Sequence, residues 1–188
     1  MQISDYYSLA QNCLSEYRFH HSKMVAKAAK ELAQKYGADV NKAELAGILH
    51  DITKEMPVNN QLQLLTDNDI MLDSVTKSNS QILHAVSGAA YCEFVLDIKD
   101  RDVLNAVRYH TTARKGMSLL EKIVFIADFI SEDRTYPDID TMRKEADISL
   151  ERGMKYALSY VIKSLVERSR CVHPDAIDAF NEIIMKGI

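Results

Sequence analysis

Ser118-Leu119-Leu120-Glu121-Lys122-Ile123-Val124-Phe125-Ile126-Ala127-Asp128 is the stretch that decides the architecture. A serine followed three residues on by glutamate is a capping box: each side chain satisfies a backbone amide that the first helical turn leaves without a partner. The apolar run after it predicts a buried helix and carries Asp128 about two and a half turns in. A carboxylate at the end of such a run is costly to bury alone, so it needs a cation, either a metal or an arginine such as Arg134.

The same helical spacing recurs on both sides. Upstream, residues 4–17 predict a short first helix, and His21 to Tyr36 a second, with Met24, Val25, Ala28, Ala29, Leu32 and Ala33 as its apolar stripe and Gly37 as its stop. Asn41 and Glu44 read as a variant capping box, opening a helix through Leu45, Ile48 and Leu49 that bears His50-Asp51 near its end. Pro57 marks a turn before a short surface helix. The polar residues 72–81 read as a loop, and 83–96 as a helix whose Ala85, Ser87, Gly88, Ala89 and Ala90 permit close packing. Asp100 caps a short helix ending near His110. Downstream, Tyr136-Pro137-Asp138 is a turn, Asp140 caps one long helix over 141–168, and Pro174 opens a last helix to about 186. No alternating apolar and polar run is long enough for a strand, so the predicted fold is all-α. At 188 residues the chain is expected to form a single domain, 1–188, with a core over 18–130 and C-terminal helices over 140–186.

Composition narrows the function classes. Six glycines and three prolines favour helices over a turn-rich β-architecture, and 47% hydrophobic with 27% charged residues is a soluble globular balance. Cys13, Cys92 and Cys171 are odd in number and form no CxxC pair, which speaks against a disulfide framework and for a reducing cytoplasm. No apolar stretch approaches a membrane span. A net charge of −4 argues against a nucleic-acid polymer as partner. It leaves room for a small anion, because metal and a few arginines can make one pocket positive.

Six residues could close a cage: His21, His50, Asp51, His84, His110 and Asp128 each fall in or beside a predicted helix. Neutral imidazole and carboxylate are ligands for iron, zinc and manganese. A lone histidine on an apolar face is more often a hydrogen-bonded core residue; the argument rests on four of the six histidines sharing the pattern. Adjacent helical residues point about 100° apart. That divergence suits His50 as ligand to one metal and Asp51 as a bridge between two, or as ligand to a metal and its water; a helix-end aspartate is the plainer alternative. A basic set accompanies the cage. Lys54 lies one turn past Asp51, and Arg18, Arg108, Arg114 and Arg134 flank the ligand candidates, where guanidinium groups would grip phosphate oxygens. Each alone reads nearly as well as a solvated surface charge. Thr111 and Thr112 offer hydroxyls to the same anion, or form a turn. Metal-assisted hydrolysis of a phosphate compound is the chemistry this set suits.

The ordered set H…HD…H…H…D resembles the HD-domain metal-dependent phosphohydrolases. The likeness sharpens at Leu49-His50-Asp51-Ile52-Thr53-Lys54, an HD-x-x-K motif, and from Arg108-Tyr109-His110-Thr111-Thr112-Ala113-Arg114 through Gly116-Met117-Ser118 to Ala127-Asp128. With Arg18-Phe19-His20-His21 near the start, these are similar to the bacterial YqeK-type diadenosine tetraphosphatase branch, over most of the chain. Ala113 departs from it, standing where a glycine is common, so the turn before Arg114 should be stiffer. His20 and His21 compete for the first ligand position, and the family pattern favours His21.

The resemblance implies an HD-domain helical bundle with a metal site in its core. It implies hydrolysis of diadenosine tetraphosphate to two ADP, by attack of a metal-activated water on a central phosphate, at a site holding one or two iron ions, with other divalent transition metals tolerated. His21, His50, Asp51 and Asp128 would hold the main metal. His84 and His110 would complete a second site or bind phosphate. Asp51 and Lys54 would be the catalytic centre, and Arg18, Lys54, Thr111, Arg114 and Arg134 the polyphosphate cradle. Arg170-Cys171-Val172-His173 would meet the nucleotide from the C-terminal side. A nucleotidase, an alarmone phosphohydrolase, an iron-dependent oxygenase, a nucleotide-sensing module without turnover and a helical scaffold are the competing readings. The helical surface is compatible with a homodimer.

Overall fold

Caps and glycines divide the chain into eleven α-helices in the computed structural model, which describes residues 1–187. They are α1 (Ile3–Cys13), α2 (Glu16–Tyr36), α3 (Val40–Leu49), α4 (Val58–Asp67), α5 (Ser74–Ser78), α6 (Ser80–Ala90), α7 (Arg101–Tyr109), α8 (Leu119–Ile130), α9 (Ile139–Ile148), α10 (Leu150–Glu167) and α11 (Pro174–Met185). A π-helical turn, Tyr91–Val95, continues α6. The described residues contain no strand, so the all-α expectation holds.

At the centre α2 packs on α3 and α8, while α7 lies against α3, α6 and α8. Ile48, Leu49, Val107, Ile123, Val124 and Ile126 fill the space between them. One glycine sets the closest approach: a Cβ on Gly47 would lie 2.7 Å from the Cα of Ala26, so α3 can rest on α2 only because that atom is missing. Farther along, α10 packs on α8, α9 and α11.

The capping box forms as read. Ser118 N donates to Glu121 Oε2 at 2.6 Å, and Glu121 N donates to Ser118 Oγ at 3.2 Å. Several boundaries differ from the sequence reading. The first helix ends at Cys13 rather than residue 17, because Ser15 caps a new helix and puts His21 inside α2. Asp39, not Asn41, caps α3 by accepting from Asn41 N and Lys42 N; Glu44 instead pairs with Lys30 and accepts from the Tyr7 hydroxyl. The expected loop at 72–81 contains α5, capped by Asp73, and Asn79 then starts α6 at Ser80 rather than residue 83. The single helix expected over 141–168 is two. Ser149 is fully extended and caps α10 through Arg152 N, and α10 turns back on α9 so tightly that a Cβ on Gly153 would sit 3.0 Å from Ala146 Cα. Asp138, with φ of 68°, occupies the N-cap of α9 in place of Asp140. Ala113 adopts φ of 55°, the left-handed turn where glycine would sit without strain.

Candidate metal centre

Five helices bring the six ligand candidates together. His21 comes from α2, His84 from α6 and Asp128 from α8, while His50 and His110 are the C-caps of α3 and α7, with Asp51 directly after the His50 cap. The four imidazoles are at most 1% exposed and Asp51 is 3% exposed, so these polar groups sit inside the bundle.

The two helix-end histidines are held identically. His50 Nδ1 lies 2.7 Å from Gly47 O, and His110 Nδ1 2.7 Å from Val107 O, each carbonyl three residues back. A carbonyl can only accept, so Nδ1 carries the proton and Nε2 turns a lone pair into the cluster. His50 Nε2 is buried there without a hydrogen-bond partner. It faces two carboxylate oxygens, Asp51 Oδ2 at 3.6 Å and Asp128 Oδ1 at 4.0 Å. A desolvated lone pair facing carboxylates is what a cation would satisfy, so the donor set fits a divalent metal.

Asp51 divides the cluster. Its Oδ1 is 2.9 Å from His84 Nε2 and 3.6 Å from His110 Nε2, whereas Oδ2 faces His50 Nε2 and Arg18 Nη1, the latter at 3.4 Å. Three overlapping triads result, His21/His50/Asp51, His50/His110/Asp128 and Asp51/His84/His110, each with ligand atoms within 4.8 Å of one another. At the other edge, His21 Nε2 is 2.9 Å from Asp128 Oδ1 and its Nδ1 is 2.7 Å from Asp133 Oδ2. Arg134 also bonds Asp128, from Nη2 to the carboxylate and from Nε to the backbone carbonyl at 2.8 Å. The arginine partner weighed for Asp128 is therefore present alongside the histidines.

Burial and charge set the protonation states. Burial pushes His50 and His84 down to about 4, leaving both neutral at pH 7, the form that ligates metal. Burial, the largest single influence, opposes a charged His21, but the hydrogen bonds that His21 gives to Asp128 and Asp133 and the charge of Asp128 together outweigh it and the pKa rises. Burial alone would raise Asp51 and Asp128. The imidazoles around Asp51, His50 foremost, and His21 with Arg134 at Asp128 hold both carboxyls well below the usual range. Lys54 is lowered, chiefly by burial.

The basic set separates in space. Lys54 Nζ is 3.9 Å from Asp51 Oδ1 and 3.2 Å from both ring nitrogens of His84, and Arg18 and Arg134 lie on the two carboxylates. Thr111, next to His110, has a buried hydroxyl without a partner. It lines a cavity of about 240 Å³ that also reaches His110, Asp128 and His173. His173 caps α11, accepting from Asp175 N at 3.2 Å, while its Nε2 faces Asp73 Oδ2 at 3.2 Å. Arg114 is not gathered in. Its Nε and Nη2 grip the fully buried Glu121 at 2.7 and 3.0 Å, with Tyr109 under the guanidinium, so two of its donors are already committed to fastening the 110–118 segment onto α8. Arg108 stacks over Tyr109, and Arg170 is exposed in the segment between α10 and α11. Asp133, which orients His21, was missed by the sequence reading; its one visible trace is an acidic residue beside Arg134 just past α8.

Comparison with known proteins gives a consistent picture. The HD domain family model matches residues 18–133. A Halalkalibacterium halodurans protein named symmetrical bis(5'-nucleosyl)-tetraphosphatase is 36% identical over 92% of each chain. Proteins of the same name from Bacillus subtilis and Staphylococcus aureus are 34% and 36% identical, over 91% and 96% of this chain and 91% and 94% of theirs. A crystal structure of a Clostridium acetobutylicum protein, described as a predicted HD superfamily hydrolase involved in NAD metabolism, superposes with a TM-score of 0.95 at 34% identity, covering 99% of this chain and 98% of that one.

Proposed function

The chain belongs to the HD-domain family, and on that premise we infer that it is a symmetrical bis(5'-nucleosyl)-tetraphosphatase, hydrolysing diadenosine tetraphosphate to two ADP. The observation that carries the reading is the placement of Asp51: its two oxygens face different imidazoles, with Lys54 and Arg18 beside them, in a cluster that opens on a cavity.

His21, His50, Asp51 and Asp128 are the proposed ligands of the main metal, with His84 and His110 around the second oxygen of Asp51. Iron, as one or two ions, is the proposed metal, since this mixed imidazole and carboxylate set suits it. A divalent cation held there supplies Lewis acidity to a phosphate oxygen and lowers the pKa of bound water.

The remaining work falls to the chain. Lys54 is a compact positive charge close to Asp51, able to offset charge building on phosphate oxygens as the bond breaks. Arg18 and Arg134, whose side chains are 29% and 32% exposed, present forked donors at the outer side of the cluster and suit the flanking phosphates. The unpartnered Thr111 hydroxyl donates to a phosphate oxygen, and Asp133 keeps His21 turned inward. His173 and Arg170 belong to the C-terminal side of the nucleotide path, and Arg114 serves through the segment it fastens. Residues 1–187 act as one unit in this reading, with α10, the segment after it and α11 closing the cavity. The free thiols of Cys13, Cys92 and Cys171 suit a reducing compartment, and the cytoplasm is the proposed place of action.

Product analysis tests this reading. Protein loaded with ferrous iron under nitrogen is incubated with diadenosine tetraphosphate and the nucleotides are separated by chromatography. ADP as sole product is expected. ATP with AMP would overturn the cleavage position, and no product with metal bound would overturn the activity.

A further inference from the structure

The cavity beside the metal centre has a lining of two unlike kinds. His110 and Asp128 belong to the cluster, but the lining also includes an apolar group, Phe129 from the end of α8 and Val161 and Leu165 from α10. Val161 and Leu165 are four residues apart and so share one face of their helix. Cys171, in the segment between α10 and α11, stands at the rim with its thiol exposed. The phosphate-binding chemistry described above makes no use of this apolar group.

Resting on the function inferred above, we propose that this slot is a nucleobase subsite, in which one base of the substrate lies against Phe129, Val161 and Leu165 with its edge toward Cys171. Size supports it. About 240 Å³ is less than the roughly 300–1,000 Å³ of pockets that enclose a drug-sized ligand, so the slot holds one nucleoside end and not the whole dinucleotide. Continuity supports it too, because the same cavity is lined by His110, Asp128 and the unpartnered Thr111 hydroxyl as well as by these apolar side chains, the two chemistries of a nucleotide. An aromatic ring beside aliphatic side chains receives the face of a base by stacking and burial. Val161, Leu165 and Cys171 all lie beyond residue 133, where the HD domain match ends. The C-terminal helices therefore supply the apolar lining that adds base binding to a phosphohydrolase core.

Cys171 makes the test direct, and Cys13, exposed at the end of α1, is an internal control. Metal-loaded full-length protein is treated with a maleimide, and labelling of each cysteine is followed by mass spectrometry with saturating ADP, with saturating pyrophosphate, or with neither. Slower labelling of Cys171 with ADP but not with pyrophosphate, and an unchanged Cys13, is expected. Equal protection by pyrophosphate, or none by ADP, overturns the slot. A second measurement asks whether Leu165→Trp, which fills the space from a half-buried position, weakens ADP binding by about ten-fold while pyrophosphate still binds. Undiminished ADP affinity in that variant overturns the proposal. Chromatography of the diadenosine tetraphosphate products runs beside both, so a protein that yields two ADP without protecting Cys171 loses only the slot, and one that yields none loses the activity itself.

Discussion

His21 and His50 have ring centroids 5.4 Å apart, yet they are held by opposite means. His50 is fixed by the backbone: its proton goes to the Gly47 carbonyl, and that carbonyl is placed by a contact with α2 that only glycine permits. His21 is fixed by charge, between Asp128 and Asp133. Burial keeps the first neutral, whereas the carboxylates make the second easier to protonate. One side of the centre is thus a rigid ligand whatever the charge state, and the other answers to protons and cations. Asp51 stands between them, within reach of the imidazoles of His50, His84 and His110.

The largest effect follows from removing that middle group. Asp51→Ala takes away the carboxylate shared by the two sides, and hydrolysis should fall by about 10³-fold or more, the scale of several kcal/mol of transition-state stabilisation. Helical circular dichroism should survive, because Asp51 lies past the end of α3 and supports no helix. Full activity in this variant would sink the metal-site reading.

A smaller change addresses the charge-held side alone. Asp133→Asn keeps the shape of the contact to His21 Nδ1 but removes its charge, so His21 becomes less basic and less firmly oriented. Metal affinity, read by competition with a chromogenic chelator, should drop by about 10- to 100-fold, as for other carboxylates behind a ligating histidine. An unchanged affinity would mean that Asp128 and α2 position His21 unaided.

These differences explain what could be read without coordinates. Ser118 and Glu121 were legible because a capping box is local, and His21, His50, Asp51, His84, His110 and Asp128 because their order and residue types suffice to suggest a cage. The break at Ser149 was not read, because a lone serine cap inside a continuing apolar pattern is a weak signal; the close packing of α10 on α9 that Gly153 permits against Ala146 shows only in the folded chain. Arg114 carried the same ambiguity. Glu121 accounted for a cap in the sequence, and only the packed structure shows that its buried carboxylate also takes two bonds from that arginine. Asp133 was hidden because its partner lies far away in sequence on α2. Ala113 is the reverse case: a single residue out of pattern marked the turn, and the structure gives it a positive φ.

The gentlest probe is pH, applied to metal-free protein. His50 and His84 have folded values near 4 against 6.5 for an unconstrained histidine, so below pH 6.5 the unfolded chain takes up protons that the folded chain refuses. Stability therefore falls with acidification, by about 1.4 kcal/mol per pH unit for each group between 6.5 and 4. His21 has the opposite sign. Its folded value is raised, so the stability it contributes is fully present below 6.5 and is lost as pH climbs from 6.5 through the higher folded value. The two sides therefore pull stability in opposite directions: the backbone-held side loses it on acidification below 6.5, and the charge-held side loses it on the alkaline side. Urea melts at pH 5, 6, 7 and 8 after chelator treatment measure both effects. A flat profile from pH 5 to 6.5 would mean that His50 and His84 take up protons inside the fold, and the contrast between a backbone-held and a charge-held side would fail.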